Sequence, residues 1–413
     1  MMPDQGSPKP NLLFLTQRLP YPPIKGEKIR PFQILTHLAR SHAVHLGCLI
    51  DDPSDTEHIP VVAALCRDIH VASIDRRMAR ILCTTGLLTN EALSVVFFRD
   101  RGLARWVSDV VTRVRPDVVF VNSSNMAPYV LDLPRTGVRI VDLADVDSEK
   151  WRSYAETTTG LMRFVYRREW QRVAALERRI AYECDASTFV SEAEASLFRS
   201  LIPERAAHIH GISSGVDHRY FDPSSGFEAP YDPGRPTYVF TGTMDYPPNV
   251  DAVRWFANAM LPIIRRTLPD AAFYIVGNSP SPAVQALTAI PDVHVTGRVP
   301  DVRPYLAHAT AGVAPMRIAR GIQNKVLEAM SMARPVIVTS GALEGIEAEP
   351  GVDVILANSE AAFAEAACRM ARDPAAAAIG QAARARVVTS YDWSVRLSRF
   401  DDLLHPERRA ASP

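Results

Sequence analysis

The stretch that decides the fold runs from "TAGVAP" (310–315) through a loop to "GIQNKVLEAMSMARPVIVTS" (321–340). A short apolar run comes first. A segment with Val326, Leu327 and Met330 at helical spacing follows, and "PVIVTS" closes it as a second apolar run. Such a pattern reads as strand, helix, strand, and two strands joined through a helix lie parallel. Working outward, the same alternation recurs at "TYVFTG" (237–242), a helix over "NVDAVRWFANAMLPIIRRT" (249–267), "AAFYIVG" (271–277) and "VHVTG" (293–297). It is also present earlier, in "NLLFL" (11–15), a helix over 29–40, and strands at 42–50, 68–74, 116–123, 138–143 and 184–191. Strands alternating with helices mean parallel sheets covered on both faces.

Between the two sets, Gly, Pro, Ser and Asp cluster in "SSGVDHRYFDPSSGFEAPYDPGRP" (213–236), which reads as a linker. The expected organisation is an α/β protein of two doubly wound Rossmann-like domains, 1–212 and 237–390, facing each other across a cleft. A last helix, 392–404 within 391–413, packs back on the first domain. A length of 413 residues fits two cores better than one.

Lys and Arg number 46, as do Asp and Glu, so no global charge points to nucleic acid as a partner. The five cysteines form no C-x-x-C pair, which argues against a zinc site or a disulfide framework and fits a reducing, cytoplasmic compartment. "MMPDQGSPKP" lacks the basic, then long apolar, order of a secretory signal. No apolar run approaches the length of a membrane span. No histidine pair has ligand spacing, and no metal is expected.

The loop 316–323 follows a strand end, where ligands bind in open parallel sheets. It leads into a helix N-terminus, whose free N–H groups attract anions. Gly321 lets a phosphate approach backbone, and Arg317, Arg320 and Lys325 add positive charge. Lys325 and Glu328 stand one turn apart on one face. They suit the two ends of a nucleotide sugar, diphosphate for Lys325 and ribose hydroxyls for Glu328. They suit equally an ordinary ion pair on a solvated helix.

The chain resembles the GT4 family of GT-B glycosyltransferases over nearly its whole length. The resemblance rests on "GIQNKVLEAMSMARPVIVT", "SSGVDHRYFDP", "FTGTMDYPPNVDAVRWF" and "VHVTGRVPDVRPYLAHATAGVAP". "GTMDYPPNVDA", "RIARGIQNKVLEAM" and "VDLADVDSEKW" are similar to the sugar transferases of bacterial PEP-CTERM/exosortase exopolysaccharide loci. The resemblance implies a retaining, metal-independent transfer from a nucleoside diphosphate sugar to a hydroxyl of a lipid-linked glycan. It assigns Gly242, Arg298, Arg320, Gly321, Ile322, Gln323, Asn324 and Glu328 to the donor, with Lys325 and Arg317 on the departing diphosphate. Gly26 occupies the place of the first-domain glycine loop, and Lys25 and Glu27 beside it are acceptor contacts. A plain turn glycine is the alternative.

Some positions depart from the pattern. Arg320 stands where the family carries the first glutamate of E-x7-E, and Met244 stands where an arginine is common. Ser214 replaces an Asn, and Ala333 a Gly. In "VDLADVDSEKW" (141–151), Asp142, Asp145 and Asp147 cluster. Asp145 is the choice for handling the acceptor hydroxyl, against a helix cap by Asp147 or Ser148. Arg298 reads equally as a surface ion pair, Asn249 as a helix cap, and Trp255 and Phe256 as core. The basic amphipathic segments 76–88 and 163–182 read as solvated helix faces or as peripheral membrane contacts at the inner face of the cytoplasmic membrane. Two other functions share these features: a nucleotide-sugar epimerase, and a non-catalytic nucleotide-sugar-binding protein, suggested by the missing glutamate.

Overall fold

A computed structural model describes residues 8–23, 26–86, 90–232, 234–318 and 321–404, the side chains of 80–82, 84 and 85 excepted. The chain forms two compact units, residues 1–213 with 397–413, and residues 214–396. The first is built on seven parallel strands, β1 (Asn11–Thr16), β2 (Ala43–Ile50), β3 (Asp68–Ser73), β4 (Val118–Asn122), β5 (Val138–Ala144), β6 (Ala186–Phe189) and β7 (Ile209–Gly211). Their order is β3-β2-β1-β4-β5-β6-β7. The second holds β8 (Thr237–Thr241), β9 (Ala272–Val276), β10 (Val293–Gly297), β11 (Ala311–Ala314), β12 (Val336–Val338) and β13 (Ile355–Leu356), ordered β10-β9-β8-β11-β12-β13 and again parallel.

Each sheet grows outward from its first strand and then turns back to that strand's other side. The reversal falls between β1 and β4, and between β8 and β11. At such a switch point the loops leaving neighbouring strands diverge, and the opening they leave is where ligands bind. β8 is buried throughout, and β1 from Leu12 onward. They are apolar runs because helices cover both faces. On β11, Gly312 has a packing role: an added Cβ would lie 2.8 Å from the Ala329 Cβ, so the glycine lets helix Asn324–Ser331 settle against its own strand.

The segment read as a linker is packed along the second unit. Phe221, Phe227 and Tyr231 lie against its core. Tyr231 Oη donates to Tyr305 O at 2.6 Å, and Ser331 Oγ donates to Phe221 O at 2.8 Å. Its Gly and Pro content reflects a chain with irregular backbone, not a loose one.

The helix expected over 249–267 is interrupted. Helix Pro247–Trp255 passes into a π turn, Phe256–Met260, before helix Leu261–Thr267. Pro262 lacks an N–H and crowds the carbonyl four residues back, which the wider turn relieves. Trp393–Leu404 is the last helix among the described residues, and Phe400 near its end is fully buried, 5.3 Å from the Phe120 ring of β4. Among the described residues no helix is long and apolar enough to cross a membrane.

Candidate functional site

In the second unit, the chain leaves β11 beside the switch point and enters helix Asn324–Ser331. Gly321 has φ +66°, the left-handed conformation that glycine adopts without strain, and Ile322 packs against the core, anchoring the loop. Gln323 stands at the N-cap with φ −87° and ψ 95°, and its side chain makes no cap. Its Nε2 donates to Gly321 O at 3.2 Å, and its Oε1 accepts from Lys325 Nζ at 3.0 Å. The first turn, opened by Asn324, therefore presents N–H groups free of a side-chain cap, and such groups bind anions.

Lys325 Nζ lies 5.3 Å from the centre of the Phe240 ring on β8, a contact that favours a cation. Burial lowers its pKa to about 8, against the opposing pull of Glu328. Burial raises the Glu328 carboxyl to about 7, against the pull of Lys325. The two do not come within ion-pair distance of each other, and the Glu328 carboxylate has no hydrogen-bond partner among the described residues. The simple surface pair that the sequence equally allowed is not formed. A desolvated cation and anion held apart on one face, both with displaced pKa values, mark a binding site more than a stabilising contact.

The other cations are dispersed. Arg317, expected at the diphosphate, is bound by both carboxylate oxygens of Asp251 and lies 5.0 Å from the Trp255 ring. Its charge is already partnered. Arg298 is exposed after β10, three strands from β11 and so about 14 Å away. Arg320 falls outside the described residues, as does Lys25. Gly242 follows the end of β8 and donates its N–H to Val276 O at 3.0 Å. Met244 is fully buried, which is why no arginine stands there. Asn249, expected as a cap, lies inside helix Pro247–Trp255 and donates from Nδ2 to Thr243 O at 2.9 Å, tying down the loop after β8.

In the first unit, a cavity of about 240 Å³ opens at the switch point between β1 and β4. It is lined by Gln17 and Arg18 from the β1 loop, Asn125 from the β4 loop, and Asp147, Lys150 and Trp151 from helix Asp147–Thr157. The three aspartates of the sequence separate here. Asp142 is fully buried and accepts from Arg30 Nε and Nη2 at 2.8 and 2.7 Å, Thr188 Oγ1 at 2.7 Å and Asn122 Nδ2 at 3.1 Å, a structural knot. Asp145 is exposed in a bend, away from the cavity lining. Asp147 lines the cavity, accepts from Ser124 Oγ at 3.4 Å, and is raised by burial to about 6.

The cap expected from Asp147 or Ser148 comes from elsewhere. Glu177, on helix Gly160–Glu183, accepts the Ser148 N–H at 3.1 Å, and burial pushes it up to about 8. A partner 29 residues away leaves no local signal. Gly26 opens helix Gly26–Leu38, and a Cβ there would meet nothing within 4 Å, so packing does not require it. Glu27 pairs with Arg18 at 3.3 Å, and Arg18 bonds Asp51 at 3.0–3.1 Å. Glu27 thus touches the cavity through Arg18. Sequence reading missed Gln17, Arg18, Asn125, Lys150 and Trp151; their place after β1 and at β4 and β5 loops was the available signal.

With the geometry in view, residues 235–373 match the model of the family described as glycosyl transferases group 1. No curated protein matches the chain. Among solved structures, it superposes on sucrose-phosphate synthase from Thermosynechococcus elongatus with a TM-score of 0.68 at 17% identity, covering 98% of this chain and 100% of that one. HepE from Anabaena, in complex with UDP-glucose, gives 0.65 at 13% identity, over 96% and 100%. The catalytic domain of starch synthase IV from Arabidopsis thaliana, bound to ADP and acarbose, gives 0.60 at 11%, over 97% and 99%. The chain has the GT-B fold, and its second unit carries the segment that matches group 1 glycosyl transferases.

Proposed function

We propose that the protein is a glycosyltransferase that moves a sugar from a nucleoside diphosphate sugar to a hydroxyl of a glycan. The observation that carries this is the Lys325–Glu328 face at an uncapped helix N-terminus beside the β8/β11 switch point, within the segment matching the group 1 family. The solved HepE complex with UDP-glucose supports the donor class. Glu328 accepts hydrogen bonds from the ribose, while Lys325 and the first-turn N–H groups receive the diphosphate. As the bond from the sugar C1 to the phosphate oxygen breaks, its electron pair stays on the diphosphate. Fixed positive groups stabilise that growing charge. The acceptor oxygen bonds C1, and its proton passes to a base. Asp147, in the first unit's cavity, fits that role better than Asp145.

In this reading the transfer retains the anomeric configuration and draws its positive charge from the protein, not from a metal. The acceptor is a lipid-linked glycan of exopolysaccharide synthesis, as the GT4 and PEP-CTERM-type resemblance implies. Lys325→Ala tests it: kcat should fall about 10²- to 10³-fold with the far-UV circular dichroism unchanged. Turnover near the wild-type rate would sink the assignment.

A further inference from the structure

Helix Gly160–Glu183 packs along its later length, burying Glu169, Val173, Glu177, Ile180 and Ala181. Its first turns are different. Leu161 is 79% exposed, Phe164 65% and Met162 46%, three large apolar side chains together at the tip of a helical hairpin. The hairpin's other arm is helix Asp147–Thr157. From Thr157 to Arg168 the chain carries Arg163, Arg167 and Arg168 and no acidic residue, in a protein whose total charges balance. Arg163 and Arg167 are exposed and have no partner among the described residues. Behind the tip, Tyr166 lies 5.7 Å from Trp151 and 5.8 Å from Tyr154. Trp151 lines the first unit's cavity.

We infer that this hairpin tip docks the protein on an anionic lipid surface. Exposed apolar residues in a monomer's surface mark an interaction site, and here the flanking charge chooses the partner. Leu161, Met162 and Phe164 enter the acyl boundary, Arg163 and Arg167 meet lipid phosphates, and the Trp–Tyr cluster sits at headgroup depth, where such rings are favoured. The cavity opens beside that cluster, so a chain carried by a lipid has a short path into it. The basic segment 163–182 begins at these exposed apolar side chains, whereas Val173, Glu177, Ile180 and Ala181 further along are buried. The segment at 76–88 differs: Arg76 there is held by Asp51 at 3.1 Å.

Vesicle sedimentation of the full chain tests the inference without any turnover assay, so its failure and that of the transferase reading are separable. The wild type should co-sediment with vesicles of phosphatidylcholine and phosphatidylglycerol, bind pure phosphatidylcholine at least tenfold more weakly, and be released by salt. Arg163→Gln and Arg167→Gln should each weaken binding about fivefold. The Leu161→Ser, Met162→Ser, Phe164→Ser variant should lose binding while keeping its melting temperature, because those side chains are exposed. The idea fails if the wild type does not bind the anionic vesicles, if the triple variant binds like wild type, or if neutral vesicles serve as well. It fails too if gel filtration shows a wild-type dimer that the triple variant converts to monomer, for then the tip joins two copies of this chain.

Discussion

At the scale of single residues, Lys325 and Glu328 are held in ionisation states that their surroundings oppose. Burial lowers the lysine to about 8 and raises the glutamate to about 7. The proposed donor contacts need ammonium and carboxylate together, and both are ionised mainly between those values. Below about 7 Glu328 takes up a proton and would accept ribose hydroxyls less well. Above about 8 Lys325 loses the charge proposed to meet the diphosphate. The pH profile of kcat/KM for the donor, which reports the free enzyme, should be a narrow bell falling away on both sides of that interval. A flat profile from pH 6 to 9 would exclude the pair from donor recognition. Asp147 is the residue-scale test in the first unit. Asp147→Asn should lower kcat for transfer about 10²-fold, the ordinary contribution of a positioned base. Asp145→Asn, in an exposed bend, should change it less than threefold. Equal effects would mean that the cavity is not where the acceptor hydroxyl is handled.

At the scale of elements, helix Asn324–Ser331 shows how much of a site is set by its supports. Its beginning is positioned by a left-handed Gly321, its face by Gly312 on β11, and its end by Ala333. Ala333 has φ +53°, a conformation that costs an L-residue about 1–2 kcal/mol. The N–H groups of Ala333 and Arg334 return to Met330 O at 3.0 Å and Ala329 O at 3.2 Å, the closing bonds of a helix end that glycine normally supplies. Ala333→Gly should therefore stabilise the protein. Relief of strain exceeds the extra unfolded-state entropy of glycine, for a net gain of about 0.5–1 kcal/mol, read as an increased denaturant midpoint at unchanged slope. A loss of stability would mean that the Ala333 methyl makes contacts worth more than the strain. Cavity-lining Asp147 is likewise an element-scale outcome, because its helix is capped by Glu177 across the hairpin and not by itself.

At the scale of the molecule, both sheets reverse direction beside their first strand, and each candidate subsite lies at one of those reversals. The repeated topology thus places one candidate subsite at the reversal of each sheet, the cavity of the first unit and the helix N-terminus of the second, as the proposed reaction between a donor and an acceptor requires. A nucleoside diphosphate sugar that binds the folded protein alone should stabilise it by about 2.7 kcal/mol at one hundred times its dissociation constant. Thermal-shift measurement across donors should show an upward shift for the matching sugar and base. On the proposed reading, in which the protein supplies the charge, the shift should persist with a chelator present. Lys325→Ala should remove most of it. Dependence on added divalent ions would transfer that role to a metal.

The sequence by itself determined the alternation, eleven of the strands, and the loop-to-helix segment carrying Lys325 and Glu328, because period and glycine placement are local properties of a chain. It also marked Ala333 as standing where a glycine is usual. It missed β7 and β13, three and two residues long, since so short an edge strand has no period to read. Only the tertiary structure decided that Arg317 is partnered by Asp251, that Asp142 is bound into the core by Arg30, and that Asp147 reaches the cavity. Each of those outcomes depends on a group dozens of residues away. Spacing along a chain assigns side chains to the same face of one element, whereas packing between elements decides which charges are buried, which are neutralised, and which remain open to a ligand.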